Sequence, residues 1–591
     1  MLAKLDEIRQ ILTAPGQRFE ITDTHIRGTT YRTWSQTPNS LRDILERSTK
    51  HASATYLVYE DERITYQEHL ALVAKTAHGL IALGVKKGDR VVISMRNYPE
   101  WIISFWAISS IGAIAVPLNA WWTQQELEYG IADSMAKVVI VDAQRYSRIV
   151  PSIKGLVETL QEITILVVRC NEATFADLEI PDLGDSDSSL KILDFGKVID
   201  GYCDLLPQVE ILPDDPVTIF YTSGTTGAPK GALGTHRNIC TNLISVLYIS
   251  ARNQMAYPSS QRTALDSNGD KQQNAYLLSV PLFHATGCHG VLIPNTFAGS
   301  KIIMMYRWNP ERALELIERE KVTAFGGVPT MVWQVLNSRD FPMRDTSSVK
   351  LITYGGSPCP PELVRKIKEN FPMGSPSNGY GLTETSSVAT MNSGDDYLEK
   401  PDSVGLPLPV VELAVVNDSG DQLGPNQVGE LIIKGPNIVD GYWNKPQATK
   451  DSFRDGWFYS GDLAYVDEED FVYIVDRAKD MVIRGGENIY SIEVESVLYD
   501  FPGVVDAAII GIPDLVMGEE VAAIVTCNPG ISISEQDLRS YVAQHLAAFK
   551  VPKYIFFYDQ LLPRNPTGKI LKRQLREEVS RTILDQPSSL G

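Results

Sequence analysis

The chain has 591 residues, 43% hydrophobic and 21% charged, with 54 Lys and Arg against 73 Asp and Glu and a formal net charge of −19. These proportions are ordinary for a globular protein and exclude a disordered or fibrous one. The acidic balance argues against a nucleic-acid binder, whose affinity would rest on clustered Lys and Arg. By length the chain holds three or four average domains, or fewer large ones.

At the start, Leu2, Leu5, Ile8 and Leu12 recur at helical spacing, and charges interrupt any apolar core of the kind a secretion signal needs. Six cysteines lie far apart with no CxxC pair, which fits a reducing compartment. The last residues, Ser-Ser-Leu-Gly, are not the peroxisomal tripeptide, so a cytoplasmic protein is expected. Residues 101–125 carry no charge, but serines, Gly112, Pro117 and Asn119 interrupt them. They read as a buried helix to 111 and a strand over 114–118, not as a transmembrane span.

From residue 90 strands and helices alternate: a strand over 91–95, a helix over 100–111, the strand at 114–118, a helix after Thr123, and a strand over 137–141. Thr123 and Glu126 make a capping box for that helix. Apolar strands alternating with helices predict an α/β body with mainly parallel sheets covered by helices. Residues 171–189 and 251–274 read as surface excursions. Near 478 the texture changes: strands over 471–476, 505–510 and 521–526 alternate with helices over 492–499 and 534–545, the latter opened by a Ser534–Asp537 box. The expected organisation is a large body over 1–478 and a small mobile α+β cap over 479–591.

Residues 221–231, Tyr-Thr-Ser-Gly-Thr-Thr-Gly-Ala-Pro-Lys-Gly, follow an apolar strand. Glycines that allow close backbone approach, hydroxyls and one lysine are the equipment of a polyphosphate loop. The spacing is not that of a Walker loop, because Ala228 and Pro229 precede Lys230 and no hydroxyl follows it. The segment resembles instead the signature loop of the adenylate-forming superfamily of acyl-CoA synthetases, aryl-CoA ligases, peptide-synthetase adenylation domains and beetle luciferases. Further matching motifs follow in the family order as far as Lys569.

The resemblance implies an ATP- and Mg²⁺-dependent acid–thiol ligase that forms an acyl-adenylate and passes the acyl group to CoA. It places Thr222, Ser223, Gly224, Thr225, Thr226, Gly227 and Lys230 on the phosphates. Gly355, Gly356 and Ser357 would lie on the adenine side, as would Asn378, Gly379, Tyr380 and Gly381. Thr383 would bind the α-phosphate and Glu384 the metal. Asp462, in Tyr-Ser-Gly-Asp, would hold the ribose with Arg477, and Lys479 would be the hinge. Arg484, Gly485 and Gly486 would line the thiol tunnel, where Ser491 stands in place of the family's common Pro and offers a helix cap. Lys569 would reach in from the cap to the carboxylate and phosphate oxygens.

His284, in Pro-Leu-Phe-His-Ala-Thr-Gly, stands where amino-acid-activating relatives carry an Asp for the substrate ammonium. A plain carboxylic acid, fatty or related aliphatic, is therefore expected, with His284 at the acyl side; His236 matches another position near it. The short tail after Lys569 holds no carrier-protein domain, so the acceptor is expected to be a separate molecule, CoA by default or a carrier protein. A phosphate-loop NTPase or kinase and a catalytically dead ligand-binding relative are the rival readings. The Lys230 spacing opposes the first, and the joint presence of Lys230, Glu384, Asp462, Arg477 and Lys569 opposes the second.

Overall fold

Strands Ile114–Pro117, Val138–Asp142 and Ile163–Val168 are buried at every position, which is what strands covered on both faces require. They lie in a seven-stranded sheet ordered Lys230–Thr235, Pro216–Thr222, Ile114–Pro117, Arg90–Ser94, Val138–Asp142, Ile163–Val168, Leu190–Asp194. All neighbours are parallel except the edge strand Lys230–Thr235, which doubles back on Pro216–Thr222. The computed structural model describes residues 2–170, 175–176, 178, 189–222, 229–257, 273–356, 361–477, 479–485, 487–514, 516–528, 530–565 and 568–584.

A nine-stranded sheet has a parallel centre from Ser375–Tyr380 through Leu351–Gly355, Ala324–Gly327, Ala275–Leu278 and Lys301–Met304 to Thr55–Tyr59, with antiparallel strands at both edges. The helix Pro99–Ser110 opens on Pro99 and buries Trp101, Phe105 and Trp106 in the large core. Among the described residues no helix is long and apolar enough to cross a membrane. A third sheet, wholly antiparallel, holds Glu412–Val416, Gly429–Lys434, Phe453–Arg454, Trp457–Val466 and Val472–Arg477.

The last sheet joins Glu487–Ile489, Val482–Arg484, Gly518–Cys527, Val504–Asp514 and Tyr554–Tyr558. Helices Ser491–Tyr499 and Glu535–His545 cover one face and Lys572–Leu584 the other, each over its own apolar core. Fold class is thus as expected: an α/β body and a small α+β C-terminal unit.

Both capping boxes form: Thr123 N donates to Glu126 Oε2 at 2.7 Å, and Ser534 N to Asp537 Oδ2 at 3.0 Å. Leu5 and Ile8 of the first helix pack on Ala256. Three local expectations need correction. Residues 251–256 are no excursion but the last turns of the helix His236–Ala256, held by its buried apolar face. The strand expected at 471–476 pairs with Trp457–Val466 in the body, because its register extends that antiparallel sheet. Ser491 does not cap its helix: Tyr490 occupies that position, and Ser491 N and Oγ both donate to Asp476 instead. Most of 171–189 and 251–274 lies outside the described residues.

Candidate active site

Side chains from the seven-stranded, nine-stranded and antiparallel sheets meet at one place, joined there by Lys569 of the C-terminal unit. Asp462 and Arg477 sit opposite one another on adjacent strands. Arg477 Nε lies 3.0 Å from Asp462 Oδ1, and Tyr380, at the end of its strand in the nine-stranded sheet, donates its hydroxyl to Asp462 Oδ2 at 2.7 Å. Asp462 is 3% exposed. A charge-assisted pair so enclosed has a fixed geometry, with the remaining carboxylate lone pairs directed by its partners.

Glu384 lies in the short turn Thr383–Thr385. Behind it Ser386 and Ser387 adopt φ of +54° and +111°, unfavourable for residues other than Gly. The turn is held by Thr385, whose hydroxyl accepts from Leu382 N, and by Asn437, which donates to Thr385 O at 3.0 Å. Glu384 is buried, and Tyr442 donates to its Oε1 at 2.7 Å. Burial pushes the Glu384 carboxyl above the usual range, offset in part by the Tyr442 hydrogen bond and by Arg477. A buried carboxylate whose hydrogen-bond partner is a neutral phenol suits a hard cation. Lys230 Nζ stands 5.0 Å from the Tyr442 ring.

Lys569 is brought to this group from the C-terminal unit. Gly568, at φ +79°, lies against Val328 of the body so closely that an added Cβ would come within 2.5 Å of Val328 Cγ2. The Lys569 amine is pulled down to about 8, by burial first and then by the Arg477 guanidinium, against the pull of Asp480 and Asp462. Lys479 is lowered by burial and by the charges of Arg477 and Lys230. Cations close enough to depress one another are complementary to a ligand carrying several negative charges.

Of the residues expected on the nucleotide, Lys230, Tyr380, Glu384, Asp462, Arg477 and Lys569 are thus linked by contacts or by mutual electrostatic influence, and the expected hinge residue Lys479 joins them. Thr222 flanks the phosphate loop, paired with Lys230 across the hairpin. Ser223, Gly224, Thr225, Thr226, Gly227, Ser357 and Gly486 lie outside the described residues. Gly355 and Gly381 have a packing reason as well: a Cβ on Gly355 would strike the Gly379 carbonyl, and one on Gly381 the Ser387 carbonyl. Asn378 and Gly379 follow the same parallel register, opposite Tyr354 and Gly355.

Arg484 and Gly485 are placed differently. Arg484 Nε pairs with Glu520 at 2.6 Å, and Gly485 packs under Met517 within the C-terminal unit. His236 is fully buried, its Nδ1 accepting from Leu41 N at 3.0 Å, so its ring anchors an N-terminal helix. His284 Nε2 is enclosed with no hydrogen-bond partner among the described residues, and burial lowers its pKa to about 4. A small cavity is lined by its neighbour Phe283 and by Met305, Trp308 and Met331, together with Arg96, Tyr306 and Arg307. Sequence reasoning missed Tyr442 and Val328. The Gly-Tyr-Trp at 441–443 gave only a weak signal, and Val328 gave none.

Residues 44–443 match the family of AMP-binding enzymes, and residues 493–569 the AMP-binding enzyme C-terminal domain. A feruloyl-CoA synthase from Amycolatopsis is 34% identical over 533 residues, covering 90% of this chain and 97% of the relative. A long-chain-fatty-acid–CoA ligase, FadD13, from Mycobacterium tuberculosis is 33% identical, covering 88% of this chain and 94% of its own length. Among solved structures, ATP-bound MatB from Rhodopseudomonas palustris superimposes with a TM-score of 0.77 at 29% identity, covering 92% of this chain and all of MatB.

Proposed function

Because the chain belongs to the AMP-binding enzyme family and is an AMP-forming acid–CoA ligase using ATP, Mg²⁺ and CoA, we propose that it activates a fatty or related aliphatic acid through the residues gathered around Asp462 and Lys569. The convergence of Lys569 with Arg477, Asp462 and Lys479 carries this reading.

The first half-reaction joins two anions, a carboxylate and a triphosphate, so positive charge must be in place before they meet. Asp462 holds the ribose hydroxyls, and Arg477, fixed by Asp462, faces ribose and phosphate. Thr222 and Lys230, with the loop between them, hold the leaving phosphates, and Thr383 contacts the α-phosphate. Gly355, Gly356, Asn378, Gly379, Tyr380 and Gly381 form the adenine side. Lys569 binds the attacking carboxylate and the phosphate oxygens as charge moves to pyrophosphate. Glu384, its carboxylate oriented by Tyr442, would hold Mg²⁺, which would supply positive charge to the phosphates when bound.

For the second half-reaction, Arg484, Gly485 and Gly486 serve the CoA thiol after the cap (479–591) turns about Lys479 relative to the body (1–478). The pairing of Arg484 with Glu520 while Lys569 is in the site supports two separate cap poses. His284, neutral near pH 7, follows Phe283 of an acyl pocket to which Phe283, Met305, Trp308 and Met331 give apolar surface for an apolar acid chain, while Arg96 and Arg307 line it as well. The scattered free cysteines support a cytoplasmic setting.

Incubation with ATP, Mg²⁺, CoA and a mixed panel of aliphatic, aromatic and dicarboxylic acids, read by mass spectrometry, tests this. Aliphatic acyl-CoA and AMP should accumulate. Selective conversion of the aromatic or dicarboxylic members would overturn the acid assignment.

A further inference from the structure

Asp476 and Lys572 belong to neither the nucleotide group nor the acyl side, yet they stand buried and half-buried where body and cap join. Asp476 is 2% exposed and ends the body's last strand next to Arg477. Its Oδ2 accepts from Ser491 N at 2.5 Å and Ser491 Oγ at 2.8 Å, and its Oδ1 from Arg477 N at 2.7 Å. Ser491 is fully buried, and its hydroxyl also accepts from Lys572 Nζ at 2.6 Å. Lys572 pairs in turn with Glu495 at 2.7 Å, and Glu495 accepts from Ile509 N at 2.8 Å. One hydroxyl donates and accepts at once, so each hydrogen bond around Ser491 fixes the direction of the other.

Two features give this network a role beyond holding the cap together. The cap has two apolar cores of its own, so a buried ion cluster at its edge is a poor source of stability but a strict selector of one arrangement. Its ends also meet the site: Arg477 is bonded to Asp462, and Lys572, three residues after Lys569, begins the helix Lys572–Leu584. Buried Leu575 anchors that helix in the cap core. A connected path therefore runs from Asp462 through Arg477, Asp476, Ser491 and Lys572 to the segment that carries Lys569.

We propose that Asp476, Ser491 and Lys572 are positioning residues that lock the cap in the pose presenting Lys569, and so serve the adenylation half-reaction selectively. This rests on the functional reading above. Asp476 moves with the body, while Ser491 and Lys572 move with the cap, so the network exists only while Lys569 is in the site.

The full-length protein with Ser491→Ala, which removes the hydroxyl and keeps the N–H, is compared with Ser491→Thr, which restores a hydroxyl. Acid-dependent pyrophosphate exchange should fall about 10–100-fold in the Ala variant, the scale of a small misplacement of a catalytic group. Thioester formation from supplied acyl-adenylate should stay within about twofold of the original protein, and Thr should recover most of the exchange. Without substrate, amide hydrogen exchange in the segment around Lys569 should be faster in Ser491→Ala alone. Equal loss of both half-reactions, or unchanged amide exchange, would overturn the positioning role. A paired Lys572→Met/Glu495→Gln variant, which removes the ion pair together and leaves Asp476 its N–H and hydroxyl donors from Ser491 and Arg477, should repeat the selective loss if Ser491→Ala does not fold. If the original protein shows no acid-dependent exchange, the functional reading fails, and the substrate-free measurement still decides the network.

Discussion

Arg477 and Asp462 are paired twice, once by backbone register across neighbouring strands and once by side chains, Nε to Oδ1 at 3.0 Å. The double pairing means that the guanidinium cannot drift without breaking the sheet edge. Tyr380 reaches Asp462 from another sheet, so the carboxylate joins two layers of the body.

Asp462→Ala frees Arg477 and leaves the Tyr380 hydroxyl without its acceptor. The kcat/KM for ATP should fall on the order of 10²-fold, as expected for truncating one partner of a buried charge pair. Asp462→Asn should lose less, because an amide oxygen still accepts. Steady-state kinetics at saturating acid and CoA measure both, and equal losses would argue against hydrogen bonding as the cause.

Lys569→Ala removes a cap side chain placed, with Lys479, among the charges around Arg477 and Asp462. Adenylation should drop about 10²–10³-fold, the usual scale for one preorganised electrostatic donor. Thioester formation from supplied acyl-adenylate should survive better. Separate half-reaction assays distinguish this outcome from a general loss of folding.

The lowered Lys569 amine gives a sign for pH. Near pH 7 it is protonated, and above about 8 it loses the charge that attracts phosphate. The kcat/KM for ATP, which reports the free enzyme, should therefore decline above about pH 8. Bound phosphates restore the proton, so kcat should hold to higher pH. Lys569→Arg should abolish this decline while lowering the plateau. A pH–rate series on both proteins checks it.

Glu384 and Tyr442 concern the metal. Tyr442→Phe removes the hydrogen bond that orients the carboxylate and should raise the Mg²⁺ concentration for half-maximal pyrophosphate exchange about tenfold. Glu384→Gln should raise it further, and excess chelator should stop exchange in all three proteins. An unchanged Mg²⁺ requirement in both variants would remove Glu384 from the metal site.

Gly381 tests the backbone. Its Cβ position is filled by the Ser387 carbonyl, and Ser387 itself is held at φ +111°. Gly381→Ala should cost about 3 kcal/mol or more by overpacking against a rigid turn. A thermal melt reads it directly; Gly356, at φ +79° and with no atom of the described residues within 4 Å of its Cβ position, supplies the control.

Much of this molecule is determined by the sequence alone, for local physical reasons. Short apolar runs rich in β-branched residues, such as 138–141, favour strands covered on both faces, and Thr123–Glu126 and Ser534–Asp537 satisfy their own helix starts whatever surrounds them. The ordered motifs from Tyr221 to Lys569 likewise carry the resemblance to the family in residue type and order. The tertiary structure decided what depends on distant partners: that Tyr442 meets Glu384, that Gly568 rests on Val328, that Arg484 turns to Glu520, and that Ser491 serves Asp476 and Lys572 and not its own helix. A hydrogen bond between residues far apart in the chain leaves no periodicity, because nothing in either neighbourhood requires the other until the sheets and the cap have packed.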